Sequence, residues 1–181
     1  MIEANMQTDM EHNILMTQIG YENLLCKIAE KEKEYDQVRD HRQVAFELSG
    51  DGWHDNPEFN RMQQLEANLN HTLKTLNDRL DVMKFIDIHD DMRNVQQVEV
   101  GSIVQLRRYD LADDSEQEEI WEIRGFDETN IKLKHLAYNA PLAEKIMHLH
   151  VGDVAEEVQI GSRHFDIEVL ALFKTRANAG I

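Results

Sequence analysis

Apolar side chains recur at alternating steps of three and four through two stretches of the chain. In residues 17–47 they fall at Tyr21, Leu24, Ile28, Tyr35, Val38 and Ala45, with Lys31 and Arg42 completing the spacing. In residues 57–85 they fall at Phe59, Met62, Leu65, Leu69, Leu73, Leu76, Leu80 and Met83. This is the seam of a helix that buries one narrow stripe against a partner. Gly20 is the only glycine in the first stretch, and no proline or glycine interrupts the second after Pro57. Two arms of similar length around a short linker predict an antiparallel coiled-coil hairpin over residues 14–88. At 1.5 Å per residue each arm reaches ~45 Å and carries its linker, residues 49–58, at the far end.

Beyond residue 88 the period changes. Residues 98–106, 118–124, 131–137 and 164–173 alternate or run apolar, as strands do, and residues 154–160 add a candidate. Residues 141–149, PLAEKIMHL, predict a short amphipathic helix with proline in its first turn. The acidic stretch at residues 110–119 predicts a solvated loop. The expected class is therefore α+β: a helical hairpin, then an antiparallel β-sheet domain with one short helix over residues 89–175. Residues 1–13 and 176–181 are expected to be tails.

Charge narrows the partners. The net charge is -16 across 181 residues, which disfavours general binding to DNA or RNA phosphates. Residues 17–86 hold nine Lys/Arg against thirteen Asp/Glu, whereas residues 87–175 hold nine against nineteen. A protein partner is the better expectation. With one cysteine, Cys26, no internal disulfide is available, and a reducing cytoplasm is the default. No stretch has the apolar length of a membrane span. Cys26 reads as a thiol at the edge of the seam. His148 and His150 lack further ligands at metal-binding spacing.

The linker SGDGWHDNPEF concentrates unusual residues: Asp51 and Asp55 flank Trp53 and His54. Asp55, Pro57 and Glu58 also fit a helix start, with Asp55 as N-cap and Glu58 closing a capping box. Trp53 has two readings, packing back on Phe46 or Phe59 or touching a partner. The second is favoured because a hairpin end has little core to receive an indole. His54 reads as exposed.

The order of short motifs resembles the bacterial Gre transcript-cleavage factors. They are Met16-Thr17 with Gly20, Gly50-Asp51, Asn56-Pro57-Glu58-Phe59, the run from Val98 to Val104 containing Gly101-Ser102, Ile123 with Gly125 and Asp127-Glu128, Pro141-Leu142-Ala143, and Val151-Gly152-Asp153. The resemblance spans residues 15–173 and implies an FKBP-like second domain. It also implies a transcription elongation factor, not itself an enzyme, that enters the secondary channel of RNA polymerase and stimulates the polymerase's own cleavage of backtracked RNA. Asp51 and Asp55 would then help hold a Mg²⁺ ion shared with the polymerase, and Glu58 would support the loop. Trp53, Phe59 and Arg61 would touch the partner or RNA, and Asn139, Ala140 and Pro141 would contact the channel rim. Mg²⁺ takes oxygen ligands and keeps several waters, so two loop carboxylates suffice only where the partner completes the site.

This sequence departs from the family pattern at the tip. One extra residue separates the first carboxylate from Asn56, and Gly52 could bulge to absorb it. Phe59 stands where a tyrosine is usual, Ala140 where a serine is usual, and the near flank is Phe46-Glu47-Leu48 rather than basic. These features support an alternative, a Gre-like regulator that occupies the channel without promoting cleavage. A third reading, from another class, is a prolyl isomerase or chaperone acting through the β-rich domain.

Overall fold

The structure is a computed structural model that describes residues 13–181. The tail expected at residues 1–13 lies, but for Asn13, outside them. The elements run β1 (Ile14–Met16), α1 (Gln18–Ser49), a 3₁₀ segment (Gly50–Asp55), α2 (Pro57–Asp81), β2 (Met83–Phe85), β3 (Ile103–Asp110), β4 (Glu116–Arg124), β5 (His135–Ala137), α3 (Pro141–Ile146), β6 (Val154–Ile160), β7 (Arg163–Phe173) and α4 (Arg176–Ala179). They form two units, Tyr21–Met83 and Ile14–Gly20 with Lys84–Ile181. The expected boundary thus shifts: residues 14–20 belong to the sheet unit.

In the first unit α1 and α2 run antiparallel, because partners ascend on one helix as they descend on the other. Phe46 meets Phe59 with ring centroids 6.1 Å apart, Arg42 and Tyr35 reach Glu66, and Val38 clusters with Met62 and Leu69. Leu24, Ile28, Val38 and Ala45 are buried, as are Phe59, Met62, Leu69 and Leu76. The seam departs from expectation at one level. Leu65 is exposed, and Glu66 takes the inward place. There Arg42 Nε lies 2.8 Å from Glu66 Oε2, and the Tyr35 hydroxyl donates to Oε1 at 3.4 Å. With Arg42 on the α1 stripe, a facing carboxylate compensates a charge that leucine would strand. Cys26 is exposed rather than at the seam edge.

The second unit is built on a five-stranded sheet of order β5-β4-β3-β7-β6. All pairs are antiparallel except β4 with β5, where Glu122 aligns with His135 and Arg124 with Ala137 in parallel. The antiparallel expectation fails at that edge because residues 125–134 carry the chain back before β5 begins. The strand expected from residue 98 starts at Ile103, and residues 116–119 of the expected acidic loop are paired in β4. Leu142, Ala143 and Ile146 of α3 close over Val104, Leu106, Ile123, Val158, Ile167 and Val169, the centre of the core.

Two glycine-bearing motifs interlock in this unit. Glu128 is buried, and its carboxylate accepts from Thr17 N and Thr17 Oγ1, both at 2.8 Å. Thr17 Oγ1 in turn accepts from Gly20 N at 3.3 Å, capping the start of α1. A Cβ on Gly20 or Gly125 would press into the Glu128 carboxylate. Gly125→Ala is accordingly expected to lower stability by about 1–3 kcal/mol, the usual cost of overpacking, in thermal denaturation. Gly52→Ala, whose Cβ meets open space, is the control.

Residues 176–181 are not a free tail. Thr175 caps α4, Ala179 is buried, and Arg176 pairs with Glu122 and donates from Nη2 to the Leu133 carbonyl at 3.0 Å. The pairing reaches across the sequence to a charge that local pattern reads as solvated. Glu122 is only 2% exposed, and it also meets Arg93 Nη2 at 2.9 Å and Arg124 Nη1 at 3.1 Å.

Candidate functional site

The turn between the helices is built around Asn56. A residue before proline is driven out of the helical region, and Asn56 sits at φ -79, ψ 111, extended. This makes Asn56 the N-cap, not Asp55: its Oδ1 accepts from Glu58 N at 2.9 Å and Phe59 N at 3.3 Å. Its Nδ2 donates to the Ala45 carbonyl at 3.2 Å and to Ser49 Oγ, so one side chain ties the end of α1 to the start of α2. The capping box expected from Asp55 and Glu58 therefore does not form. Glu58 instead engages Arg61, Oε1 to Nη2 at 3.0 Å and Oε2 to Nε at 3.1 Å. Asn56→Ala is expected to lower stability by about 1–2 kcal/mol in denaturant unfolding. Asn56→Asp keeps the acceptor, loses both donated bonds and falls between.

Residues between Ser49 and Asn56 wind as a 3₁₀ turn entered through Gly50 at φ +54. Gly52, where a bulge was expected, lies inside this winding and does not adopt a positive φ. Asp51 and Asp55 are both exposed. In ideal 3₁₀ geometry residues three apart eclipse, so Asp51 stands over His54, while Asp55 lies about 120° around the axis. An α-helical turn would have put the two carboxylates on one face.

Trp53 packs back into the tip, which corrects the favoured reading of a free indole. Its ring lies 5.0 Å from Phe59, edge-on, and 5.8 Å from Phe46, with His54 against it. The reason given for a partner contact fails because Phe46 and Phe59 make a small aromatic core there. Phe59 is buried in it, so its missing hydroxyl exposes nothing.

In the second unit, Asn139 Oδ1 accepts from Asp127 N at 2.9 Å, and Asn139 Nδ2 donates to Asp127 Oδ1 at 3.2 Å. The clasp holds Asp127 at φ +58 beside the start of α3. Ala140 is the α3 N-cap without a side-chain bond, and Pro141 at its first position is exposed. The structure thus brings Asn139, Ala140 and Pro141 into one turn.

Among the described residues no group of three or more His, Cys, Asp or Glu is arranged to hold a metal ion. Asp51 and Asp55 are exposed hard oxygen donors of the type Mg²⁺ takes, and two alone do not fill its coordination shell. None of the described helices is long and apolar enough to cross a membrane.

Residues 93–172 match the family model "Transcription elongation factor, GreA/GreB, C-term". The matched segment lies within the second unit and holds most of its five-stranded sheet. A relative, transcription elongation factor GreA of Maricaulis maris (strain MCS10), is 28% identical over 102 residues, 56% of this chain. The match spans 61% of that relative's length. Among solved structures, the GreA factor homolog 1 protein of Thermus thermophilus is 18% identical, with 88% of this chain and 98% of that chain covered at a TM-score of 0.40. A GreA/GreB factor from Nitrosomonas europaea is 16% identical, with 89% and 98% covered at a TM-score of 0.35. Within the matched segment, Glu128 grips Thr17, and Gly125 leaves room for the Glu128 carboxylate. Asn56 and Glu122 were not singled out as site residues from the sequence. The proline after Asn56 was the available signal for the first, and none marked the second.

Proposed function

We propose that this chain binds RNA polymerase in its secondary channel as an elongation factor and stimulates cleavage of backtracked RNA. The observation that carries the reading is the tip itself: two exposed carboxylates on a wound turn whose scaffold, Asn56 with the Phe46–Trp53–Phe59 cluster, is fixed from both helices. The GreA/GreB-type domain in the same chain supplies the context. Asp51 and Asp55 are the residues that would hold Mg²⁺ together with polymerase carboxylates. When bound, the ion supplies Lewis-acid activation of water and phosphate. The chain's own part is to deliver the two carboxylates on a turn that is already ordered, at little conformational cost. Asn139, Ala140 and Pro141 are the proposed rim contacts.

A second reading, occupation of the channel without cleavage, is favoured by two observations. The 3₁₀ winding turns Asp55 away from Asp51, and Arg61, the cation nearest the tip on α2, is held by Glu58. A stalled, backtracked elongation complex separates the readings. Shortening of the RNA from its 3′ end on addition of the chain supports the first; slowed elongation without shortening supports the second.

A further inference from the structure

The end of α1 carries apolar side chains that the hairpin does not use. Leu48 is 83% exposed and Val44, one turn earlier on the same helix face, 53%. The seam at this level runs through Arg42 and Ala45, and the aromatic cluster uses Phe46, so neither site takes up Val44 or Leu48. Single exposed apolar residues are ordinary, but a paired leucine and valine on the last turns of a helix, beside an ordered tip, form a ridge. Its surroundings are acidic. Glu47, Asp51 and Asp55 are exposed and enter no ion pair among the described residues, and Glu58 holds Arg61.

We propose that the Val44–Leu48 ridge docks into an apolar recess of a protein partner that is fringed by lysine or arginine side chains. Charge decides the occupant. Three exposed carboxylates within seven residues of Leu48 in the chain, unpaired among the described residues, repel nucleic acid phosphate, an anionic lipid surface and a second copy of the same tip, and they attract a cationic protein surface. The ridge fills an apolar recess while the carboxylates set orientation and rate of encounter. Naming RNA polymerase as that partner rests on the function proposed above; the chemistry of the recess does not.

The single, exposed Cys26 thiol allows one fluorophore to be attached for anisotropy titrations. Two probes are titrated in parallel: RNA polymerase core enzyme, and an amphipathic helical peptide of leucine and lysine. The wild-type chain is expected to bind both, more weakly as salt rises. The Val44→Gln/Leu48→Gln chain, with an unchanged denaturation midpoint, is expected to lose roughly 30-fold or more in affinity for each, the scale of burying one leucine. Unaltered binding by that variant overturns the inference. So does tighter binding to a single-stranded RNA oligonucleotide than to the peptide, or self-association that the variant abolishes. Binding to the peptide but not to the polymerase, lost in the variant, sustains the ridge and removes the proposed partner instead. Binding to neither overturns the ridge as well.

Discussion

Glu122→Ala is expected to destabilise the sheet unit by about 3–5 kcal/mol, the scale on which breaking a buried ion pair from one side acts. Glu122 pairs with Arg93, Arg124 and Arg176, and His135 Nε2 lies 3.6 Å from it. Arg93 is itself buried and has few alternatives: its Nε donates to the Gly101 carbonyl at 2.9 Å, and Asp90 takes part of its remaining charge. Removing the carboxylate leaves guanidinium groups facing one another with too little negative charge among them. Glu122→Gln keeps an acceptor but not the charge and is expected to fall between. Each unit holds one of the two tryptophans, Trp53 in the hairpin and Trp121 beside Glu122. A Trp53→Phe background therefore reads unfolding of the sheet unit by fluorescence. An unchanged midpoint in Glu122→Ala would show that the cluster contributes nothing net.

The same cluster contributes to the response to acid. Burial would push the Glu122 carboxyl up, but the hydrogen bond from Arg176 and the charges of Arg124 and Arg93 outweigh it and hold the group below its ordinary value of 4.5. His135 is held below 6.5, first by burial and then by the Arg124 and Arg176 charges, against the opposing pull of Glu122 and Glu128. Both folded values lie below the unfolded ones, so in each window the unfolded chain binds more protons, and stability falls as pH falls. The histidine contribution is complete above the ordinary imidazole range and declines below it. The carboxyl contribution is complete above the ordinary carboxylate range and declines as pH drops through the folded value.

Much of the fold follows from periodicity, because a period reports which side of an element is dry. The α1 stripe from Leu24 to Ala45 and most of the α2 stripe are where the three-four spacing puts them. The exceptions involve charge. Glu66 enters the seam because Arg42 and Tyr35 are there to meet it, and no local pattern carries that pairing. Glu122 sits in a strand whose sequence, EQEEIWEIR, reads as solvated acid on one face. Its burial depends on Arg93 and Arg176, far away in the chain, and the same long-range contact turns an expected tail into α4. At the tip the residue types were legible and the winding was not. Whether Asp51 and Asp55 share a face depends on three rather than 3.6 residues per turn, a choice set by Gly50, Asn56 and the aromatic cluster together.

That winding makes the two carboxylates unequal, and this shapes what their replacement should do. Asp51→Asn is expected to slow RNA cleavage in a backtracked complex on the order of 100-fold or more, the scale of removing one preorganised charge-stabilising group. Polymerase binding, read by competition with a labelled wild-type chain, should change far less, because an amide keeps the shape and the Asn56 scaffold is untouched. If one ion were held equally by both groups, Asp55→Asn would match Asp51→Asn and the double variant would add little. With about 120° between them in ideal 3₁₀ geometry, the two carboxylates approach a given point from different sides and are not interchangeable. Asp55→Asn and Asp51→Asn are then expected to differ in cost, one of them accounting for most of the loss. Trp53→Ala, which removes the ring that Phe46 and Phe59 hold, should cost cleavage with both carboxylates still present, because the turn loses its fixed winding. Cleavage retained at the wild-type rate in Asp51→Asn/Asp55→Asn would remove the tip carboxylates from the chemistry. A factor that slows elongation while none of these variants alters RNA length would instead be a channel occupant whose carboxylates act on binding alone.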